Sequence, residues 1–564
     1  MPSATAFSTP RPRRRLPLAG VLRLGRPSDI WFKPALSVIA SVAPPNLTLL
    51  ALGRLDLAMY TMAGSLCALY AHNRPYAARA RALAWVVLGM VGGLAVALVT
   101  ASLTTSAVVL VTVGALLAAV QKALCDATRI GPPGHVVLTF ISSAALFAPQ
   151  TLARVPGHLA LALAAGVWAW LVGMAPGLPR PHGPERRATA QALNAAAAHA
   201  AAVHATAAHA TAAHAAGEAD PRARAVAAAA VQAAWQTLLA TGDTPTRRAL
   251  ERLVVRAEVA LAAPDDTDPR RLRAWARDLC GTGPVPELDD QQAADELLGV
   301  EAELAVPARP LWARLGALAP IALRTALGCA LAGYVSLALG VGRPYWALVT
   351  AASLYQANLA LTWSRGIQRV VGNLLGVLLF AAVAPLAHAG QVFLVLFCLA
   401  FNFGAEALMS RNYWLGTVCV TPMALLITEF AHTQQPGRLI TERVVDTVVG
   451  ALVGFLAGVA VTNRRAGDRV EHALTAAERA REHAARLLAE PAPAPADLEA
   501  ARRALAAALA ELRATADAAA GEWWQRALPQ ERVVRAERTG HRTLAATVRH
   551  PGLNGTTSAE GIRP

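Results

Sequence analysis

The sequence predicts an all-α polytopic membrane protein, built as two parallel six-helix transmembrane halves with cytoplasmic helical segments. Three observations point there. Hydrophobic types make up 55% of the 564 residues and charged types only 16%, against roughly 25% charge in an ordinary soluble domain. No Asp, Glu, Lys or Arg occurs over 82–121, 155–179 or 370–405, and each gap exceeds the ~20 apolar residues that cross a bilayer. The basic excess, +15 overall, is spread over the N-terminus and the links between apolar runs. That is the positive-inside pattern. It excludes a nucleic-acid binder, which gathers its charge on one folded surface.

The elements follow in order. Residues 1–33 form a basic cytoplasmic N-terminus with seven Lys/Arg and one acid. Arg13-Arg14-Arg15 ahead of the apolar run is read as the lead-in to an uncleaved first helix rather than a cleaved signal. Block 34–179 holds six spans, near 35–52, 57–72, 82–100, 105–121, 134–152 and 157–175. Segment 180–316 carries 15 basic and 17 acidic residues. It is read as cytoplasmic and helical, with a further helix at 288–303. Block 317–463 holds six more spans, near 318–340, 345–362, 370–387, 391–409, 413–430 and 444–462. The tail, 464–564, is read as a cytoplasmic helical hairpin (468–490 and 497–520) and a disordered end. Six spans per block give both halves one orientation, which permits a parallel repeat. Gly53-Arg54 and Gly342-Arg343 each precede a span, and Ser65-Leu66 lies over Ser353-Leu354. Both termini fall in the cytoplasm, and the plasma membrane is the expected location.

Several features carry little chemistry. His199, His204, His209 and His214 recur every five residues. That step rotates successive imidazoles by about 140° on a helix, so the tract reads as low complexity, with a metal or pH-sensing role the lesser reading. Trp523-Trp524 pack on the tail hairpin or anchor it at the membrane surface. The six cysteines form no C-x-x-C pair, so no disulfide or metal role is expected. No phosphate-binding G-x-x-x-x-G-K-[ST] run occurs, and neither an enzyme nor a cofactor is expected.

The second block is the informative one. Tyr345-Trp346 opens a span, and Arg365 and Arg369 sit in a short basic turn before the next. Gly372 and Gly376 follow Arg369 at +3 and +7, on nearly one helix face. Arg443-Val-Val-Asp446-Thr447-Val-Val-Gly450, extended by Gly454 and Gly458, repeats that grammar. Small residues so placed let another helix approach closely, either for packing alone or to line a permeation path. Asp446 lies one turn from Arg443, so a local ion pair is expected. Charges inside apolar spans are costly and mark function. Arg324, Arg369 and Arg443 are candidates to attract a carboxylate, with Trp346, Asn358 and Gln356 along its route. Glu406 is the first candidate for a proton-coupling carboxylate, the alternative being a structural partner of an arginine. Glu429, near His432, and Asp446 are further candidates, and Asp56 borders the second span.

Tyr345-Trp346, Thr350, Arg365, Arg369, Gly372 and Gly376 together resemble the integral-membrane transporter domain of the fusaric acid resistance protein-like family, which is related to aromatic acid exporters. The resemblance is good over 315–465 and weaker over 35–175. Asn373 stands where the family often has Thr. The resemblance implies efflux of aromatic or other organic acids, driven by the proton gradient. The expected partners are a small organic anion and the lipid bilayer, with a homo-oligomer left open. An organic-anion channel and a non-transporting scaffold with cytoplasmic partners remain the alternatives.

Overall fold

With no water to satisfy backbone N–H and C=O groups, an apolar run closes its hydrogen bonds within itself as a helix. The computed structural model describes residues 18, 20–25, 30–210, 221–242, 244–286, 311–356, 358–430, 435–460, 466–520 and 529–548. Among them every regular element is helical. The first apolar group is α1 (Phe32–Ala51), α2 (Leu55–Leu69, with 3-10 turns at both ends), α3 (Tyr76–Leu103), α4 (Ala107–Thr128), α5 (Val136–Leu146) and α6 (Val155–Met174). A polar group follows, α7 (Gly183–Ala210), α8 (Pro221–Leu239), α9 (Pro245–Ala262) and α10 (Pro269–Cys280). The second apolar group is α11 (Leu311–Ala338), α12 (Tyr345–Leu354), α13 (Leu359–Ala387), α14 (Gln391–Met409), α15 (Tyr413–Glu429) and α16 (Pro436–Ala460). The tail contains α17 (Ala466–Ala489), α18 (Pro495–Ala520) and α19 (Gln530–Val548).

All twelve expected apolar runs are helices, and eight are long and apolar enough to cross a membrane. The other four, α2, α5, α12 and α15, have 10–17 residues. They occupy the second and fifth places in each group of six. A ten-residue helix is about 15 Å long, half the ~30 Å hydrocarbon layer. Both α2 and α12 end at a buried tyrosine in extended conformation, Tyr70 (φ −89°, ψ 153°) and Tyr355 (φ −65°, ψ 109°).

Helix limits correct the expected spans. The break between α12 and α13 falls at 355–358, not in a basic turn at 365–369. Asn358 causes it: its side chain accepts the Leu361 N–H at 2.8 Å and caps α13. Arg365 and Arg369 therefore lie within a helix. Likewise α3 starts at Tyr76 rather than 82, and α16 at Pro436 rather than 444. Arg443 thus sits about two turns inside α16.

The neighbour pairs recur between the groups. Helix α2 packs on α6 as α12 packs on α16, and α3 on α5 and α6 as α13 on α15 and α16. The pairs α4–α5 and α1–α2 recur as α14–α15 and α11–α12. Across the groups, α1 meets α14 and α4 meets α11. Helix α12 is buried along all ten residues, with Trp346 5.6 Å from Phe140 and Tyr345 5.7 Å from Phe147 of the first group. The α2–α6 contact needs Gly64: a Cβ there would fall within 2.8 Å of the Ala165 carbonyl carbon.

The polar helices bury alanine and leucine faces against one another. Thr244 and Asp268 cap α9 and α10, accepting from Arg247 N and Arg270 N at 3.1 and 2.9 Å. The tail is not an isolated hairpin. Helix α18 packs on α8 and α19 packs on α9, and Arg502 pairs with both Glu258 and Glu499. Helix α19 escaped the sequence reading, although Val533, Ala536, Gly540, Leu544 and Thr547 repeat at helical spacing. The helix expected at 288–303, Trp523-Trp524 and the side chains of His209 and His214 lie outside the described residues. His199 is buried and His204 bonds the Pro264 carbonyl at 3.0 Å. Among the described residues no three His, Cys, Asp or Glu are grouped to hold a metal.

Two predictions follow from this packing. Gly64→Val should cost about 1–3 kcal/mol or more by overpacking, read as a lower unfolding midpoint in detergent. Gly89→Val, where a Cβ meets nothing within 4 Å, should be nearly neutral, and equal losses would contradict the seam. The second concerns pH. Burial, with Arg224 and His199 beside it, pushes His541 down to about 3. The folded state holds the ring neutral, while the unfolded chain takes up its proton near pH ~6.5. Stability from this site is therefore full above ~6.5 and lost progressively as pH falls toward 3. His541→Leu should flatten that acid limb, and an unchanged limb would contradict the assignment.

Candidate functional site

Two helices of the second group carry R-V-V followed by small residues in their interiors, and the structure sets them side by side: α13 packs on α16. Each also meets a short helix across glycines. A Cβ at Gly372 would lie 2.6 Å from the Trp414 carbonyl oxygen, and one at Gly376 2.6 Å from Thr421 Cβ, both on α15. A Cβ at Gly450 would lie 2.5 Å from the Ala347 carbonyl oxygen, and one at Gly454 3.0 Å from Ala351 Cα, both on α12. Two close seams, α13–α15 and α12–α16, thus flank the α13–α16 contact.

Arg443 lies between them, 1% exposed. Its guanidinium carbon is 4.0 Å from the centre of the Trp346 ring, a cation–π contact. Nη2 donates to Asn373 Oδ1 at 3.1 Å, and the same oxygen accepts the Thr421 hydroxyl at 2.5 Å. Nε and Nη1 of Arg443 and Nδ2 of Asn373 have no hydrogen-bond partner among the described residues. Arg369, one turn before Asn373, donates from Nη1 to the Tyr413 hydroxyl at 2.9 Å, and its Nε is also unpartnered. Arg365 lies 3.9 Å over the Tyr413 ring.

The expected local pair of Arg443 with Asp446 does not form. Asp446, fully buried, turns to α11 and accepts the Ser336 hydroxyl at 2.5 Å on Oδ1. Three residues on a helix rotate by about 300°. That offset lets Arg443 face α13 while Asp446 faces α11.

The structure therefore brings Trp346, Arg369, Asn373 and Arg443 together, with Asp446 at the edge. Other candidates lie apart. Arg324 is buried over Tyr355, 5.2 Å from the ring centre, and beside Gly458. That is 15 residues, about 22 Å, along α16 from Arg443. Asn358 caps α13. Glu406 is partly buried on α14, within electrostatic reach of Tyr70, and has no hydrogen bond or ion pair among the described residues. Glu429, 2% exposed, meets His388 Nε2 at 3.0 Å. His432, its expected neighbour, lies outside the described residues. Asp56 forms an exposed pair with Arg54 at 3.1 Å. Sequence reasoning missed Thr421, Ser336, Tyr413 and His388. Thr417 and Thr421, at i,i+4 on the glycine-facing side of α15, carried a readable signal, whereas Ser336 is a lone hydroxyl in an apolar helix.

Chemically, the cluster holds more N–H donors than acceptors in a space with little solvent. An anion with two oxygens, such as a carboxylate, supplies what those donors lack.

Eight membrane-length apolar helices, with a buried charged cluster among them, define an all-helical membrane protein. Residues 330–457 match the fusaric acid resistance protein-like family. This bears out the resemblance read from 345–376 and covers the whole cluster. A membrane protein of Bacillus subtilis, YvaC, itself uncharacterised, is 32% identical over 138 residues. That match covers 24% of this chain and 22% of the relative. No solved structure matches the chain.

Asn373→Leu should strand the buried Arg443 Nη2 donor, while the Thr421 hydroxyl keeps the Thr417 carbonyl at 3.0 Å, and cost about 2–3 kcal/mol. Thr421→Val should cost only about 1 kcal/mol, because it leaves the Asn373 acceptor to Arg443. Unfolding midpoints of the two variants check that order, and the reverse order would contradict the hydrogen-bond assignment.

Proposed function

We propose that the chain is a transporter that moves small organic anions, aromatic acids among them, across a membrane. The carrying observation is the set of buried donors on Arg443, Asn373 and Arg369 that have no hydrogen-bond partner among the described residues, where two glycine seams flank the α13–α16 contact. A bound carboxylate offsets the desolvation of Arg443, and the Trp346 and Phe140 rings offer an apolar wall to the remainder of the substrate. On this reading Arg443 and Arg369 hold the carboxylate, and Asn373 orients Arg443.

The two apolar groups are read as parallel repeats of six spans, with α7–α10 and the tail on the cytoplasmic side. The recurring neighbour pairs support this. So does the return of short helices at the second and fifth places, since interrupted helices at matching positions of two repeats point to a transport site. Exchange of α1–α14 with α11–α4 is what a two-fold between repeats produces. Glu406 is the proton-coupling carboxylate: it is partly buried, it carries no partner among the described residues, and α14 packs on α1 of the other group. Glu429 and Asp446 rank behind it because each already has a hydrogen-bonded partner.

Purified protein in vesicles with an imposed pH gradient tests the reading. Arg443→Gln should weaken apparent substrate affinity roughly 10- to 100-fold. Glu406→Gln should reach the membrane yet lose proton-driven flux. Normal affinity in the first variant would sink the substrate site, and normal proton-driven flux in the second would remove Glu406 from coupling. Flux that follows voltage with no dependence on protons would replace the transporter with an anion channel.

A further inference from the structure

A second cationic cluster lies in the first apolar group, where four helix ends meet. Arg79 is in the first turn of α3, Lys33 in the first turn of α1, and Arg180 and Arg187 flank the start of α7 after α6 ends. The ends are in contact: a Cβ on Gly173 of α6 would lie 3.6 Å from Arg79 Nη2, and one on Gly177 3.0 Å from the Tyr76 ring. Lys33 is within electrostatic reach of Arg79, Arg180 and Arg187. Arg79 is 3% exposed. Its Nη2 is 3.1 Å from His72 Nδ1. Arginine keeps its protons, so Nδ1 is the acceptor and the neutral ring carries its proton on Nε2. That Nε2 and Arg79 Nε both lack a partner among the described residues.

The local counter-charge is small. Glu185 lies within electrostatic reach of Tyr76; its Oε1 is engaged by Thr241 and His182 at 3.4 and 3.9 Å, and its Oε2 has no hydrogen-bond partner among the described residues. Neither α1 nor α3 has an acid in its first turn or a side-chain cap, so both helix dipoles add positive potential here. A buried, uncompensated guanidinium is strongly destabilising. The site also lies one turn before the charge-free run that begins at Ala82, the level at which a spanning helix meets headgroups.

We propose that Arg79, His72 and Lys33 form a binding site for a phosphate-bearing anion, separate from the Arg443 cluster. Phosphate fits because its oxygens can accept from Arg79 Nε while its charge faces Lys33 and the neighbouring arginines, with His72 holding Arg79 in place through Nδ1. The group can come from an anionic phospholipid headgroup or from free phosphate.

The full-length protein in lipid nanodiscs tests this. Phosphatidylglycerol is titrated into phosphatidylcholine, and lipid retained after detergent release is counted by native mass spectrometry. Wild type should retain phosphatidylglycerol, Arg79→Gln should bind it roughly tenfold more weakly, and Arg154→Gln, exposed at the start of α6, should match wild type. In phosphatidylcholine alone, inorganic phosphate that raises the unfolding midpoint of wild type but not of Arg79→Gln would assign the site to free phosphate. If Arg79→Gln does not fold, Lys33→Gln is read in its place. Equal lipid retention by wild type and variant, with no effect of inorganic phosphate on either, overturns the proposal.

Discussion

A guanidinium cannot be left bare inside an apolar helix bundle, and the second group of helices is arranged around that constraint. Arg443 sits two turns inside α16 with Trp346 beneath it and Asn373 beside it. The ring can reach it only because Gly450 and Gly454 let α12 lie against α16. Asn373 stays in place because Thr421 donates to the same oxygen, and Thr421 is near enough because Gly376 has no side chain. Glycines, aromatic ring and amide form one dependency. Two of the three guanidinium nitrogens of Arg443, Nε and Nη1, remain at its end without a hydrogen-bond partner among the described residues.

The short helices have a physical cost that the fold meets in two similar ways. A helix ending inside a bundle leaves backbone carbonyls without intrahelical partners. At the end of α12 the chain turns extended at Tyr355, and Asn358 restarts the helix with its side-chain cap. At the end of α2 the turn is at Tyr70, whose hydroxyl donates to the Gly134 carbonyl at 2.7 Å. These breaks place irregular backbone next to buried tyrosines in both groups. On the proposed reading they are the points about which the two repeats exchange access.

Much of this was legible in the sequence because its causes are local. Charge-free runs of fixed length gave the apolar helices, and the +3 and +7 spacing of Gly372 and Gly376 identified a close seam without naming α15. What escaped depended on tertiary choice. Nothing local says that Asn358, rather than the basic residues at 365 and 369, marks the helix start, because an arginine is tolerated inside a helix whose neighbours supply Tyr413. The Arg443–Asp446 pair was a fair local expectation, overridden by Ser336 of a helix more than a hundred residues away. Helix α19 was missed for a different reason: its apolar stripe is narrow and interrupted by Gly540, which is needed where Leu509 packs.

The central claim is that the donors around Arg443 recognise a carboxylate. The direct measurement is equilibrium binding of an aromatic carboxylate and of its neutral amide to the purified protein, beside Asn373→Asp, which sets an added negative charge against Arg443. The account predicts that wild type binds the carboxylate and discriminates against the amide by at least roughly tenfold, and that Asn373→Asp loses this discrimination. Equal binding of acid and amide by wild type, or undiminished discrimination in Asn373→Asp, would contradict it.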